Sequence, residues 1–255
     1  MKTRSALIAT MLFVGATAAF AADPPPLTGN IALASDYKFR GFTQTNYKTA
    51  IQGGFDYATK SGFYLGNWNS SVEASLLNGA PMEMDLYGGR KWSVGPLTYD
   101  IGVLYFLYRG SAQPTVDDRE VYFGLGYGPI SAKLHYIVGD YFAIQANRRT
   151  AKPAEPNGST KGTTYLDLNA NHDLGSGWGA NLHIGVLNVN NGTVNGLPAN
   201  SVADYKAGIT KDISGWVAGA AYLTTSNKNF FTTGAASGAK SAGDANFQIS
   251  LSKTF

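Results

Sequence analysis

The sequence predicts an all-β fold, a transmembrane antiparallel up-and-down β-barrel of about 12 strands with short turns at one end and long loops at the other. Three observations carry this. The last nine residues, Phe247 to Phe255, alternate apolar and polar side chains and stop on an aromatic residue, as a strand does between lipid on one face and water on the other. Short and long connections alternate along the whole chain. The composition is 31 glycines, 15 tyrosines and 13 phenylalanines with only 15% charged residues, unlike a disordered or helical chain.

The chain begins with Lys2 and Arg4, an apolar run from Ala6 to Ala18 and a small-residue signature at Ala19-Phe20-Ala21. These residues read as a secretory signal peptide over 1–21, cleaved near Ala21, with 22–255 as a single barrel domain. No later segment approaches the roughly 18 consecutive apolar residues that mark a transmembrane helix. Without cysteine, neither disulfides nor thiolate metal sites are available. The formal charge of +3, part of it from Lys2 and Arg4 in the leader, gives no support to a nucleic-acid partner.

Alternation places strands at 28–39, 49–59, 62–73, 82–92, 97–108 and 119–128, then at 130–140, 163–173, 178–188, 203–213, 216–225 and 245–255. Most are near the 9 to 11 residues that a tilted strand needs to cross a bilayer. Every second connection is a tight turn: Lys60-Ser61-Gly62, Gly95-Pro96, Gly128-Pro129, Gly175-Ser176-Gly177 and Ser214-Gly215. Glycine, proline and serine supply the turn geometry. The long connections are 40–48, 74–81, 109–118, 141–162, 189–202 and 226–244. In bacterial outer-membrane barrels the short turns are periplasmic and the loops extracellular.

The alternation also assigns faces. Val121, Phe123, Leu125 and Tyr127 are expected to meet lipid, as are Ile130, Ala132, Leu134, Tyr136 and Val138, leaving Glu120, Tyr122, Lys133 and His135 inside. Along 163–173, Tyr165, Asp167 and Asn169 point inward and Leu166, Leu168 and Ala170 outward. Phe63, Trp92, Tyr99, Tyr127, Trp178, Trp216 and Phe255 sit beside tight turns or the terminus, where an interfacial aromatic girdle is expected. Tyr37, Phe39, Tyr105 and Tyr136 are candidates for the opposite rim. Gly53-Gly54 and Gly88-Gly89 suit a sheet that must bend into a barrel.

No chemistry is legible. His135, His172 and His183 fall on different strands and form no metal-ligand spacing, so neither a metal, a cofactor nor a catalytic residue is expected. His172, on the outward register near a tight turn, is the residue on which an outer-membrane lipid hydrolase would depend. The interior is richer. Pore-lining candidates are Asp36, Lys38, Asp56, Asp85 and Asp100, followed by Glu120, Lys133, Asp167, Asp204 and Lys206. With Glu83, Asp173 and Asp212 added, acids outnumber bases; weak cation preference and a structural ion-pair network across the lumen both fit. The longest loop, Tyr141 to Gly162, carries Arg148, Arg149 and Lys152, and a constriction, a contact with lipopolysaccharide and a plain solvated loop all fit it. Twelve strands lie between the eight that enclose side chains alone and the 16 that leave a water channel.

Ser35-Asp36-Tyr37-Lys38-Phe39-Arg40-Gly41-Phe42-Thr43-Gln44-Thr45, then Ile51-Gln52-Gly53-Gly54-Phe55-Asp56-Tyr57, resembles the N-terminal signature of the TorF family of porins. Gly62-Phe63-Tyr64-Leu65-Gly66-Asn67-Trp68 and Met84-Asp85-Leu86-Tyr87-Gly88-Gly89 continue the resemblance. It implies a Gram-negative outer-membrane protein and a porin. One departure is Lys253, where such barrels usually carry an apolar or aromatic residue two before the last; a lysine near the interface snorkels at little cost.

The expected function is passive diffusion of small hydrophilic solutes through an outer-membrane porin. The alternative is a closed barrel acting as a structural or adhesion protein through its loops. Expected partners are outer-membrane lipid and lipopolysaccharide, the solutes themselves, and the outer-membrane assembly machinery acting on the terminal strand that ends at Phe255.

Overall fold

The structure is a computed structural model and describes residues 26–112, 115–144, 158–231 and 241–255. The expected leader therefore lies outside the described residues. Twelve antiparallel strands close into a barrel: β1 (Leu27–Ala34), β4 (Ala50–Ala58), β5 (Phe63–Ser71), β6 (Met82–Val94), β7 (Leu97–Arg109), β8 (Asp118–Tyr127), β9 (Ile130–Ile137), β10 (Thr164–Gly175), β11 (Trp178–Asn188), β12 (Ser201–Ile213), β13 (Trp216–Thr225) and β14 (Asn246–Thr254). Two short strands, β2 (Lys38–Phe39) and β3 (Phe42–Thr43), pair only with each other. Among the described residues the one helical element is a 3₁₀ turn, Tyr141–Ala143.

Each wall strand pairs with its sequence neighbours, and β1 closes the sheet by pairing with β14 in the register Asn30 with Thr254 through Ala34 with Ser250. Closure leaves no edge whose backbone groups would lack partners in lipid. The order is the expected meander, with the five tight turns gathered at one end and the long connections at the other.

The outer face is apolar because the period-two pattern puts every second residue there. Val121, Phe123, Leu125 and Tyr127 on β8 are all exposed, as are Ile130, Leu134 and Tyr136 on β9. At the short-turn end the aromatic rim is laced with cations: Lys211 lies 4.9 Å from the centre of the Trp178 ring, Lys253 5.2 Å from Trp216, and Arg90 5.3 Å from Phe63. Lys253 thus spends its departure from the usual ending on two rings, Trp216 and Phe255. The buried core lies inside the barrel, where Phe106, Ile137 and Leu187 have no exposure.

One boundary differs in a way that matters. The alternation suggested a first strand over 28–39, but β1 ends at Ala34. Ser35 still donates its N–H to the Ile249 carbonyl at 2.9 Å, and beyond it the chain leaves the wall. Asp36 and Lys38 therefore belong to the connection after β1, Lys38 within β2, and not to a strand of the wall. Tyr37 and Phe39, expected at the outer rim, are buried.

Candidate functional site: the lumen and the hairpin that fills it

Residues 35–49 connect two neighbouring strands that need only a short turn, and the surplus folds into the barrel as a β-hairpin. Lys38 pairs with Thr43 and Phe39 with Phe42. Arg40 and Gly41 make the two-residue turn with φ of 48° and 84°, the left-handed pair that suits the twist of a tight hairpin. Gly41 is required on a second count, because a Cβ there would lie 2.5 Å from both Asp204 Cβ and Thr225 Cγ2. The hairpin tip is thus pressed against β12 and β13.

The remaining contacts run around the wall. Tyr37 donates its hydroxyl to Glu83 on β6 at 2.7 Å and packs its ring edge-on to Trp68 on β5 at 5.4 Å. Phe39 meets Phe106 on β7 at 5.4 Å. Asp36 accepts hydrogen bonds from Thr43 and Thr45 within the hairpin and from Asn246 at the start of β14. Lys38 Nζ donates to the Asp244 carbonyl at 2.5 Å, and Thr43 N–H donates to the Ala242 carbonyl at 2.9 Å. Two aromatic clusters complete the seal. Phe142, from the connection after β9, packs edge-to-face against Phe39, Phe106 and Tyr108, while Phe230 and Phe231 enclose Phe42.

Arg40 is the central polar contact. Its Nη2 donates to both carboxylate oxygens of Glu120 on β8 at 2.6 and 2.7 Å, and His135 Nδ1 on β9 lies 2.8 Å from the same carboxylate. The guanidinium stacks over the Tyr165 ring at 4.5 Å and the Phe39 ring at 4.6 Å. Burial opposes the charge, yet Glu120 outweighs it and holds the Arg40 pKa above its ordinary value. A non-glycine residue in the left-handed region costs about 1–2 kcal/mol, and such strain persists only where surrounding contacts over-determine it.

The registers align Lys91, Asp100, Gly124, Lys133, Asp167, Gly185 and Asp204 across β6 to β12, in a row that climbs from the short-turn end at Lys91 to the hairpin tip at Asp204. Neighbours in this row pair: Lys133 with Asp100 at 3.1 Å, while His183 bridges Asp167 at 2.9 Å and Asp204 at 2.8 Å. Tyrosines lie over glycines on adjoining strands: a Cβ on Gly66 would sit 2.2 Å from Tyr87, one on Gly102 2.4 Å from Tyr122, and one on Gly185 2.0 Å from Tyr165. The glycines let these rings lie flat across the wall and deliver hydroxyls to Asp56, to Tyr64 and to Asp204. Side-chain exposure is 0% at Glu120 and 17% at Lys133, and Asn171 and Asp173 nearer the turns are exposed. The lumen is filled at the long-loop end and accessible from the other.

Of the sequence-derived candidates, Asp56, Asp85, Asp100, Glu120, Lys133, Asp167, Asp204 and Lys206 lie on wall strands in the inward register. Asp36 and Lys38 belong to the inserted hairpin, because the chain turns at Arg40-Gly41 where the alternation had suggested strand. Arg148, Arg149 and Lys152 lie outside the described residues. Sequence reasoning missed Arg40, the residue that ties the hairpin to the wall.

The fold and lumen define a transmembrane-type β-barrel with an internal plug. The chain belongs to the family described as "Bacterial protein of unknown function (Gcw_chp)", whose model matches residues 18–255. Among solved structures it is similar to the KdgM porin (TM-score 0.53, 6% identity, 89% of this chain and 99% of that chain) and the NanC porin (TM-score 0.54, 7% identity, 89% and 98%). A second KdgM structure, "in complex with disordered oligogalacturonate", matches with TM-score 0.53 over 90% of this chain. At these identities the likeness concerns the fold alone. No curated protein matches by sequence.

Proposed function

We propose that this chain is a bacterial outer-membrane porin for passive diffusion of small hydrophilic solutes, held shut in the observed conformation by the 35–48 hairpin. The observation that carries the reading is a closed barrel with an apolar outer face and ionisable side chains along its lumen. An interior filled for stability alone has little need of a row such as Lys91, Asp100, Lys133, Asp167 and Asp204, since buried ion pairs are weak sources of stability. The porin-like neighbours and the resemblance of residues 35–90 to the TorF family support the same reading, and a secretory leader over 1–21, as the sequence leads one to expect, accords with it. The short turns then face the periplasm, the loops face lipopolysaccharide, and the terminal strand ending at Phe255 engages the assembly machinery.

Acids outnumber bases in the lumen, which favours weak cation preference. The polyanion in the second KdgM structure is therefore a poor guide to the solute here. The test is single-channel current of refolded protein in a planar bilayer under a salt gradient: current steps with a cation-selective reversal potential support the reading, and an anion-selective sign contradicts the preference. The reading assigns no catalytic step; ester hydrolysis lost in His172→Ala would contradict it. The filled lumen favours one second reading, a closed barrel acting through its loops, and permanent silence of a hairpin-free barrel would support that instead.

A further inference from the structure

Four carboxylates line the lumen wall where the hairpin docks. Glu83 and Asp85 stand on β6 and Asp118 and Glu120 on β8, flanking the inward Leu104, Phe106 and Tyr108 of β7 in the rows Glu83 with Tyr108, Asp85 with Phe106 and Asp118, and Leu104 with Glu120. Glu83 accepts from the hydroxyls of Tyr37 and Tyr108, and Glu120 is served by Arg40 and His135. Asp85 has 0% exposure and neither of its oxygens has a partner; Asp118 Oδ2 and the Nε and Nη1 of Arg40 are likewise unpartnered.

A buried carboxylate without a donor is costly and rare, so this end of the lumen is built for more positive charge than the hairpin delivers. The wall's share of the setting of Arg40, a carboxylate at the guanidinium edge and the Tyr165 ring against its face, is one in which organic cations are recognised. We infer that this acid- and aromatic-lined end of the lumen binds a linear organic dication with guanidinium or amino ends, and that Arg40 is an internal occupant which such a solute displaces.

The second charge is what lets the solute win. Arg40 serves Glu120 and leaves Asp85 unpaired; a dication serves both. Two strand spacings and two residues of rise separate Asp85 from Glu120, about 12 Å between Cα positions, and side chains converging from the wall shorten the gap to the reach of a short aliphatic chain. Binding this solute expels the hairpin, so the solute opens its own path. The inference rests on the channel reading for the passage that follows, but not for the binding.

The test uses the refolded mature chain in detergent with Trp92, Trp178 and Trp216 replaced by phenylalanine, so that Trp68, beside Tyr37 of the hairpin, is the sole tryptophan reporter. Agmatine, with a guanidinium and an amine, is titrated against butylguanidinium, which lacks the amine. Agmatine is expected to shift Trp68 emission saturably and to bind at least about tenfold more tightly than butylguanidinium, the value of one hydrogen bond to a charged group. Asp85→Asn abolishes that difference, and Arg40→Ala tightens agmatine by removing its competitor. Should Arg40→Ala fail to fold, Arg40→Gln removes the same charge with a side chain of similar reach and is likewise expected to tighten agmatine. Equal binding of the two ligands, or a preference unchanged by Asp85→Asn, overturns the inference. Protein that binds agmatine but never conducts refutes the channel and leaves the site standing; protein that conducts without a saturable agmatine response refutes the site and leaves the channel.

Discussion

Replacing Glu120 with glutamine removes the charge that holds the hairpin in the barrel while keeping the side chain's shape. In the closed state Glu120 has 0% side-chain exposure and Arg40 3%, with N–O contacts of 2.6 and 2.7 Å. Glutamine offers one accepting oxygen where the carboxylate offers two, and turns its amide hydrogens toward the guanidinium or His135. Removing one partner of a buried pair leaves an uncompensated charge and costs about 3–5 kcal/mol. Arg40 escapes that cost only by leaving the lumen, so the penalty falls on the closed state. At 1.4 kcal/mol per tenfold, the closed-to-open ratio drops by roughly a hundredfold to a few thousandfold. The assay is open probability in planar bilayers at fixed voltage, with gel mobility before and after heating to establish that both proteins are folded barrels. Glu120→Gln is expected to raise open probability by at least tenfold. Folded Glu120→Gln protein with wild-type open probability would refute the reasoning that this pair holds the hairpin.

Gly102→Ala places a Cβ 2.4 Å from the Tyr122 hydroxyl and 2.7 Å from the Gly88 carbonyl, and overpacking of this kind costs about 1–3 kcal/mol; the urea midpoint of the refolded barrel is expected to fall accordingly. Lys48→Ala is the contrasting case: its pair with Glu73 at 2.5 Å lies outside the wall and leaves the lysine side chain 67% exposed, so unfolding is expected to change by less than about 1 kcal/mol. The hydrogen bond from Lys48 holds the Glu73 carboxyl below its ordinary range. Its small contribution is therefore present above the ordinary carboxylate pKa and lost as pH falls through the lowered value, so wild type and Lys48→Ala should converge in acid.

The barrel wall was legible because an apolar outer face and a polar inner face impose a strict period of two, and tight turns need residues that announce themselves. Gly128-Pro129 and Gly175-Ser176-Gly177 bound strands with almost the observed ends. The hairpin escaped for the same reason: Tyr37-Lys38-Phe39 continues the alternation of β1, so a reading tuned to periodicity extends the strand to residue 39. A signal was present in Arg40-Gly41, a two-residue turn flanked by Phe39 and Phe42. Inward faces of Asp100, Lys133 and Asp167 followed from alternation, whereas their shared row follows from strand register, which the pattern within one strand does not encode. The seating of Tyr122 on Gly102 depends on register in the same way.

The central claim is that residues 35–48 close an otherwise conducting barrel. Ala34 and Ala50 are paired neighbours on β1 and β4, so a short glycine-serine turn in place of the hairpin preserves the wall. In planar bilayers this variant is expected to give long-lived current steps that wild type shows only rarely. Silence from the same variant, shown by heat-dependent gel mobility to be a folded barrel and by protease protection to be inserted, would contradict the account.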